Sequence, residues 1–521
     1  MMKSRLIAGG TVLAALAAVT LAGPSAAETT SGPVTLTDRG AVRGVDQNGV
    51  RTFQGISYAA PPVGALRWKA PQRAAVWTGV RDATKPGSKC VQLDGSGSED
   101  CLFLNVTAPT KPSRPRPVMV WVHGGAFTMG SGSDYDAAKL ATRGDVVVVT
   151  INYRLGVFGF FGHPALQGEG DFGLQDQQAA LRWVKHNAAF FGGDPGNVTL
   201  FGESAGGMST CSQLTAPAAK GLFDKAIIES GSCRTRFPAN GLYPTSGVYD
   251  PWQPTADVEA GGAEAATGLG CATDVLACLR GKSTAQLATA DLMNSFSFVA
   301  YGTKTLPEKP SAALDAGRFA RVPVIQGTNK DEMRLYVGGA LAKKFEITPD
   351  IYTEFLLHGA FPDDVARVAA VYPGPDGDTA ALVWAAALTD AGWTCQALKA
   401  DQALAKHVPV YAYDFADRSA PNSTGLEENP AFPYGAHHGS ELAYLFHLAD
   451  LNPEQTKLSD QMVDYWTRFA HTSNPNHPGG VTWPRVTPHG AQAQELGQHA
   501  VRSINLSDAH NCGLWATVPY N

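Results

Sequence analysis

The segment L-F-G-E-S-A-G-G at 200–207 constrains this chain most: a serine stands between glycines, directly after a strand-like run and before a segment able to continue as a helix. Val198, Thr199, Leu200 and Phe201 are apolar or β-branched, so Ser204 is expected at a strand-to-helix turn. Gly202 and Gly206 suit a turn too sharp and too closely packed to admit side chains, which leaves Ser204 strained, with its hydroxyl exposed. That arrangement is a nucleophile elbow. A bare G-x-S-x-G also arises by chance in a chain with 56 glycines, so the base, the acid and the oxyanion donors have to be sought elsewhere.

Buried-strand runs at 117–122, 145–152, 198–201, 226–230, 322–326 and 408–415 alternate with helix-like segments such as 174–189. Alternation of this kind implies an α/β fold, a large mostly parallel central sheet with helices on both faces. Segments 34–42 and 52–58, followed by Pro61, Pro62 and Pro71, read as an antiparallel edge. The Ala-rich stretches 240–320 and 335–400 read as helical insertions over one sheet edge. No internal repeat or low-complexity linker interrupts the chain after residue 27, so 28–521 reads as a single domain.

The first 27 residues differ. Lys3 and Arg5 precede an apolar run at 6–21, and Ser25-Ala26-Ala27 places small residues ahead of Glu28. The run is short for a membrane span and ends at a cleavage site, so residues 1–27 read as an export signal and the product as secreted, without stable membrane association. Removing Lys3 and Arg5 leaves 39 basic against 47 acidic residues, a net charge of −8 with no basic block, which argues against nucleic acid as a partner. Eight cysteines, an even count in an exported chain, point to disulfides rather than to metal ligation or a reactive thiol. Spacing alone does not give their connectivity. No metal or cofactor is expected; oligomeric state cannot be read from the sequence, with a monomer favoured.

Acyl transfer to a serine needs a base, a carboxylate that orients it, and amide donors for the oxyanion. The strand ending at Val122 runs into His123-Gly124-Gly125-Ala126-Phe127, a Gly-rich turn whose amides are free to point at a ligand, unless it is merely a tight turn. With the amide of Ala205 it would form an oxyanion hole. Of thirteen histidines, the adjacent pair His437 and His438 in the Gly-bracketed loop 434–441 suits the base role best. The strand at 322–326 leads into a loop with two adjacent carboxylates, Asp331 and Glu332. Taken singly, each is more often a surface residue, but the order serine, acid, histidine is that of the α/β-hydrolases.

Further motifs accompany these: S-E-D-C-L-F-L-N at 98–105, H-G-G-A-F at 123–127, N-Y-R-L-G-V-F-G-F at 152–160, G-L-Q-D-Q at 173–177, F-G-G-D-P-G-N-V-T-L-F-G-E-S-A-G-G at 191–207, N-K-D-E at 329–332 and H-G-S-E at 438–441. In this order they give the chain, over nearly its whole exported length, a resemblance to the type-B carboxylesterase and cholinesterase family of the α/β-hydrolase fold. The resemblance implies Ser204 as nucleophile, His438 rather than His437 as base, and Glu332 rather than Asp331 as the orienting acid. It implies oxyanion donors at Gly125, Ala126 and Ala205, where the family often has a third glycine in place of Ala126; a methyl group there narrows the site but keeps the amide. Glu203, Ser230 and Glu441 match a buried polar network behind the triad. The family's disulfides fall on Cys90 with Cys101, Cys271 with Cys278, and Cys395 with Cys512. Cys211 and Cys233 remain, to pair with each other or to stay as free buried thiols.

One departure bears on substrate. In cholinesterases the first disulfide loop is longer and carries a tryptophan that holds a quaternary ammonium, whereas residues 91–100 here contain no aromatic side chain. A choline site and a large apolar lid are therefore not expected. The sequence reads as a secreted serine carboxylesterase for soluble esters of short to medium acyl length. The alternatives are a lipase, a sterol esterase, or an aromatic-ester or carbamate hydrolase on the same triad. The family's adhesion proteins, which keep the fold for binding, typically lack the serine that this chain retains.

Overall fold

The run R-P-V-M-V-W-V at 116–122 is apolar on both faces of an extended chain, which suits a strand covered by two layers. In the computed structural model, which describes residues 32–111, 114–374 and 379–519, every residue of this run is buried. The export segment read at 1–27 lies outside the described residues. In chain order the strands are β1 Val34–Leu36, β2 Ala41–Arg43, β3 Val45–Gln47, β4 Val50–Ser57, β5 Val80–Asp82, β6 Phe103–Pro109, β7 Arg116–Val122 and β8 Val147–Ile151. They continue as β9 Gly193–Glu203, β10 Lys225–Glu229, β11 Trp252–Pro254, β12 Val299–Tyr301, β13 Val324–Asn329, β14 Val410–Phe415, β15 Gln492–Leu496 and β16 Val501–Asn505.

Among the described residues, eleven of these form one sheet in the order β16-β15-β14-β13-β10-β9-β7-β8-β6-β4-β3. From β8 through β15 neighbouring strands run parallel; both edges are antiparallel. Alternation along β7 sends Val118, Val120 and Val122 into one hydrophobic layer, and Met119 and Trp121 into the other. Two layers of core follow from that alternation. The helix Phe172–Asn187 contributes to the first layer. The helix Pro453–Thr472 contributes to the second; Asn452 caps it in a reciprocal box with Gln455, and Pro453 occupies its first turn.

The structure differs from the sequence reading at several places. Residues 34–42 form two strands, because Thr37 closes a turn onto the Gly40 carbonyl through both its amide and its hydroxyl. With β5 they make a separate three-stranded sheet. The strand expected at 322–326 starts after Pro323, which has no N–H for a ladder, and extends to Asn329. The helix Cys395–Ala405, read as part of an edge insertion, instead packs on β13 and β14, and Gln326 Nε2 donates to the Ala397 carbonyl at 3.0 Å. All eight cysteines pair: Cys90 with Cys101, Cys211 with Cys233, Cys271 with Cys278, and Cys395 with Cys512. Cys211 and Cys233 are therefore bonded rather than free. Among the described residues no helix is long and apolar enough to cross a membrane.

Candidate active site

The carboxyl ends of β7, β9, β13 and the segment after β14 meet at one edge of the sheet, where open α/β sheets place their ligands. β9 ends at Glu203, and Ser204 links it to the helix Ala205–Thr215 with φ +55° and ψ −122°. A Cβ on Gly206 would lie 1.9 Å from the Val122 carbonyl oxygen, and one on Gly202 2.5 Å from the same atom. The elbow therefore presses directly on the end of β7, and both glycines are sterically required. The Ser204 amide donates to the Glu229 carbonyl at 2.9 Å, tying the strained residue to β10.

His438, in the loop after β14, approaches Ser204 with Nε2 2.8 Å from Oγ. Its Nδ1 lies 2.6 Å from Glu332 Oε2. The other oxygen of Glu332 accepts from Ser230 Oγ at 2.6 Å and from the Asn329 amide at 2.8 Å, so the carboxylate is fully buried yet well partnered. Asp331 turns away and is held by Arg418 and Arg334. His437 also turns away, to the Gly435 carbonyl and to Ser423 Oγ. A relay that runs serine, histidine, carboxylate can move a proton off a hydroxyl and stabilise the imidazolium that results.

The turn after β7 holds Gly125 at φ +101° and Ala126 at φ +52°. Among the described residues, the amides of Gly125, Ala126 and Ala205 donate to no acceptor, and Ala126 is exposed. Three unspent donors next to the Ser204 hydroxyl suit a negative oxygen. Ala126 keeps its left-handed conformation despite its methyl group.

Behind the relay lies a set of buried carboxyls. Glu203 Oε1 is 3.2 Å from His438 Nε2. Burial pushes Glu203 up to about 7, against the pull of the His438 charge and with some push from Glu332. Burial also raises Glu441 well above the carboxylate range; Glu203, Glu229 and Glu332 add to the shift, and Asn329 Nδ2 donates to it. His438 is buried, which alone would lower it, but Glu203 and Glu332 outweigh burial and hold it above the ordinary histidine range.

Four participants escaped the sequence reading. Asn329 begins the N-K-D-E motif without having been given a role, yet it bonds Glu332, the His437 carbonyl and Glu441. Glu229, a charge within the apolar run of β10, receives the Trp466 indole N–H at 2.7 Å, and burial pushes it up to about 8. Trp393 and Tyr336 pack on the His438 ring, with centroids 4.8 and 5.5 Å away, from segments with no sequence signal linking them to it.

Comparison with known proteins bears on this geometry. The family model described as the carboxylesterase family matches residues 31–515. The chain belongs to the carboxylesterase family. It is 37% identical over 480 residues to the para-nitrobenzyl esterase of Bacillus subtilis (strain 168), covering 87% of this chain and 92% of that one. It is 36% identical over 481 residues to a cocaine esterase of Oryctolagus cuniculus, covering 85% and 87%. A solved structure of a PNB esterase superimposes with a TM-score of 0.75 at 33% identity, covering 93% of this chain and 100% of that one. The α/β-hydrolase fold and membership among the carboxylic ester hydrolases follow from these matches.

Proposed function

We propose that this carboxylesterase cleaves carboxylic esters of short to medium acyl length through an acyl-enzyme on Ser204, with His438 as base and Glu332 as the orienting acid. The observation that carries this reading is the hydrogen-bonded relay from Ser204 Oγ through His438 to Glu332, beside the unspent amides of Gly125, Ala126 and Ala205. Ser204 Oγ attacks the ester carbonyl carbon as its proton passes to His438 Nε2. The carbonyl oxygen becomes an oxyanion held by the three amides, and Glu332 stays ionised beside the imidazolium. Collapse of the tetrahedral species expels the alcohol, which takes the proton from His438. A water then attacks the acyl-enzyme, giving its proton to His438, and the acid leaves as Ser204 regains its hydrogen. The scheme needs no metal or cofactor.

Export completes the proposal: residues 1–27 are removed, and 28–521 works outside the cell as one domain. Four disulfides support an oxidising destination. A second reading, a preference for esters that carry an aromatic group, is favoured by Trp393 and Tyr336 flanking His438 and by the para-nitrobenzyl esterase among the relatives.

The test is hydrolysis of p-nitrophenyl esters from acetate to palmitate by the wild type and by Ser204→Ala. Activity greatest on short chains and absent in the variant is the expected result. A preference for the longest chains would make the protein a lipase, and turnover that survives the substitution would remove Ser204 from the mechanism.

A further inference from the structure

The oxyanion turn is held at its far end by a side chain from the first disulfide loop. Gln92 is nearly fully buried and grips both backbone groups of Gly130. Its Oε1 accepts from the Gly130 amide at 2.8 Å, and its Nε2 donates to the Gly130 carbonyl at 3.2 Å. The same Nε2 donates to the Cys90 carbonyl at 2.6 Å, so the grip is anchored on the Cys90–Cys101 disulfide.

Gly130 is in turn locked onto the donors. A Cβ there would lie 2.5 Å from His123 Nδ1 and 2.8 Å from the Gly124 carbonyl oxygen. The Gly125 carbonyl accepts from the amides of Thr128 and Met129, and a Cβ on Gly125 would meet the Met129 carbonyl at 2.3 Å. With no slack between Met129, Gly130 and Gly124–Gly125, a shift of Gly130 must move the amides of Gly125 and Ala126. The turn is also stitched from its other side. Asn152 Nδ2 donates to the Cys101 carbonyl at 3.1 Å while its Oδ1 accepts from the Gly132 amide at 2.9 Å.

We infer that Gln92 is a positioning residue for the oxyanion hole, through which the Cys90–Cys101 loop sets the aim of the Gly125 and Ala126 amides. The inference rests on the Ser204 mechanism proposed above. It assigns the loop a task independent of ligand contact, and such a task does not require the aromatic side chain that the loop lacks. Oxyanion donors act only when placed correctly for the transition state, so a small displacement lowers kcat more than it changes substrate binding.

Gln92→Met keeps the length of the side chain and removes its hydrogen bonds. Its kcat on p-nitrophenyl acetate should fall by about ten- to a hundredfold with KM little changed. Affinity for a trifluoromethyl ketone, whose adduct carries the oxyanion, should fall by a similar factor. Removing the disulfide as Cys90→Ser with Cys101→Ser should also lower kcat, and adding it to Gln92→Met should cost little more, because both act through one linkage. Unchanged kcat in Gln92→Met, fully multiplicative losses, or a loss confined to KM would each overturn the inference. Ser204→Ala, run in parallel, separates the two levels. If it still turns over, the underlying mechanism fails; if it is dead while Gln92→Met is fully active, only the role of Gln92 fails.

Discussion

Glu203 precedes Ser204 by one residue yet faces the histidine across the elbow, 3.2 Å from Nε2. Burial raises Glu203 to about 7, and the charges of Glu203 and Glu332 raise His438 above its ordinary value, so the titrations of Glu203 and His438 are linked. The base must be neutral to accept the serine proton, so kcat/KM should rise with pH through a limb above 6.5, the ordinary value from which His438 is raised. Glu203→Gln removes an attraction that favours the imidazolium, and the limb should move to lower pH; a pH–rate profile with an unmoved limb would deny the coupling. Gly206→Ala tests the elbow sterically. Its methyl group would overlap the Val122 carbonyl between two backbones, so about 3 kcal/mol or more of stability should be lost, read as a fall in melting temperature and soluble yield. At this scale the sequence placed Ser204 at a turn from local pattern alone. Choosing between Asp331 and Glu332, or between His437 and His438, required family likeness, since neighbours in a loop point apart and nothing local says which one turns inward.

Among the elements, strands were legible where they are apolar on both faces, as in β7 and β8, and missed where they are mixed, as in β6, β15 and β16. The C-terminal segment carries a device that no pattern announced. Buried His510 places Nδ1 2.6 Å from Asp390, with Nε2 3.4 Å from Asp414. Burial lowers its pKa, but the charges of Asp414 and Asp390 outweigh burial and raise it to about 10. The folded value lies above the unfolded one, so the stabilisation is fully present below about 6.5 and is lost as pH rises through about 10. The difference in melting temperature between wild type and His510→Gln should therefore shrink steadily from pH 6.5 to 10. A constant difference over that range would assign the residue a packing role only.

For the molecule as a whole, the Cys395–Cys512 bond spans 117 residues and joins the helix that covers β13 and β14 to the C-terminal segment, two residues beyond His510. On the chain-entropy model a closure of this length contributes about 4 to 5 kcal/mol. Cys395→Ala with Cys512→Ala should lower the unfolding temperature more than the same change at Cys271 and Cys278, which close only a seven-residue separation. By itself the sequence determined the class of fold, the elbow at Ser204, and the set of residues from which the relay is drawn, because strand periodicity and glycine punctuation are local properties of the chain. Only the tertiary structure decided that Asn329 knits the acid to its loop, that Trp393 and Tyr336 wall the base, and that Gln92 braces the oxyanion turn. Those contacts join residues far apart in the chain, and their geometry depends on how the sheet stacks its strand ends, which no local pattern encodes.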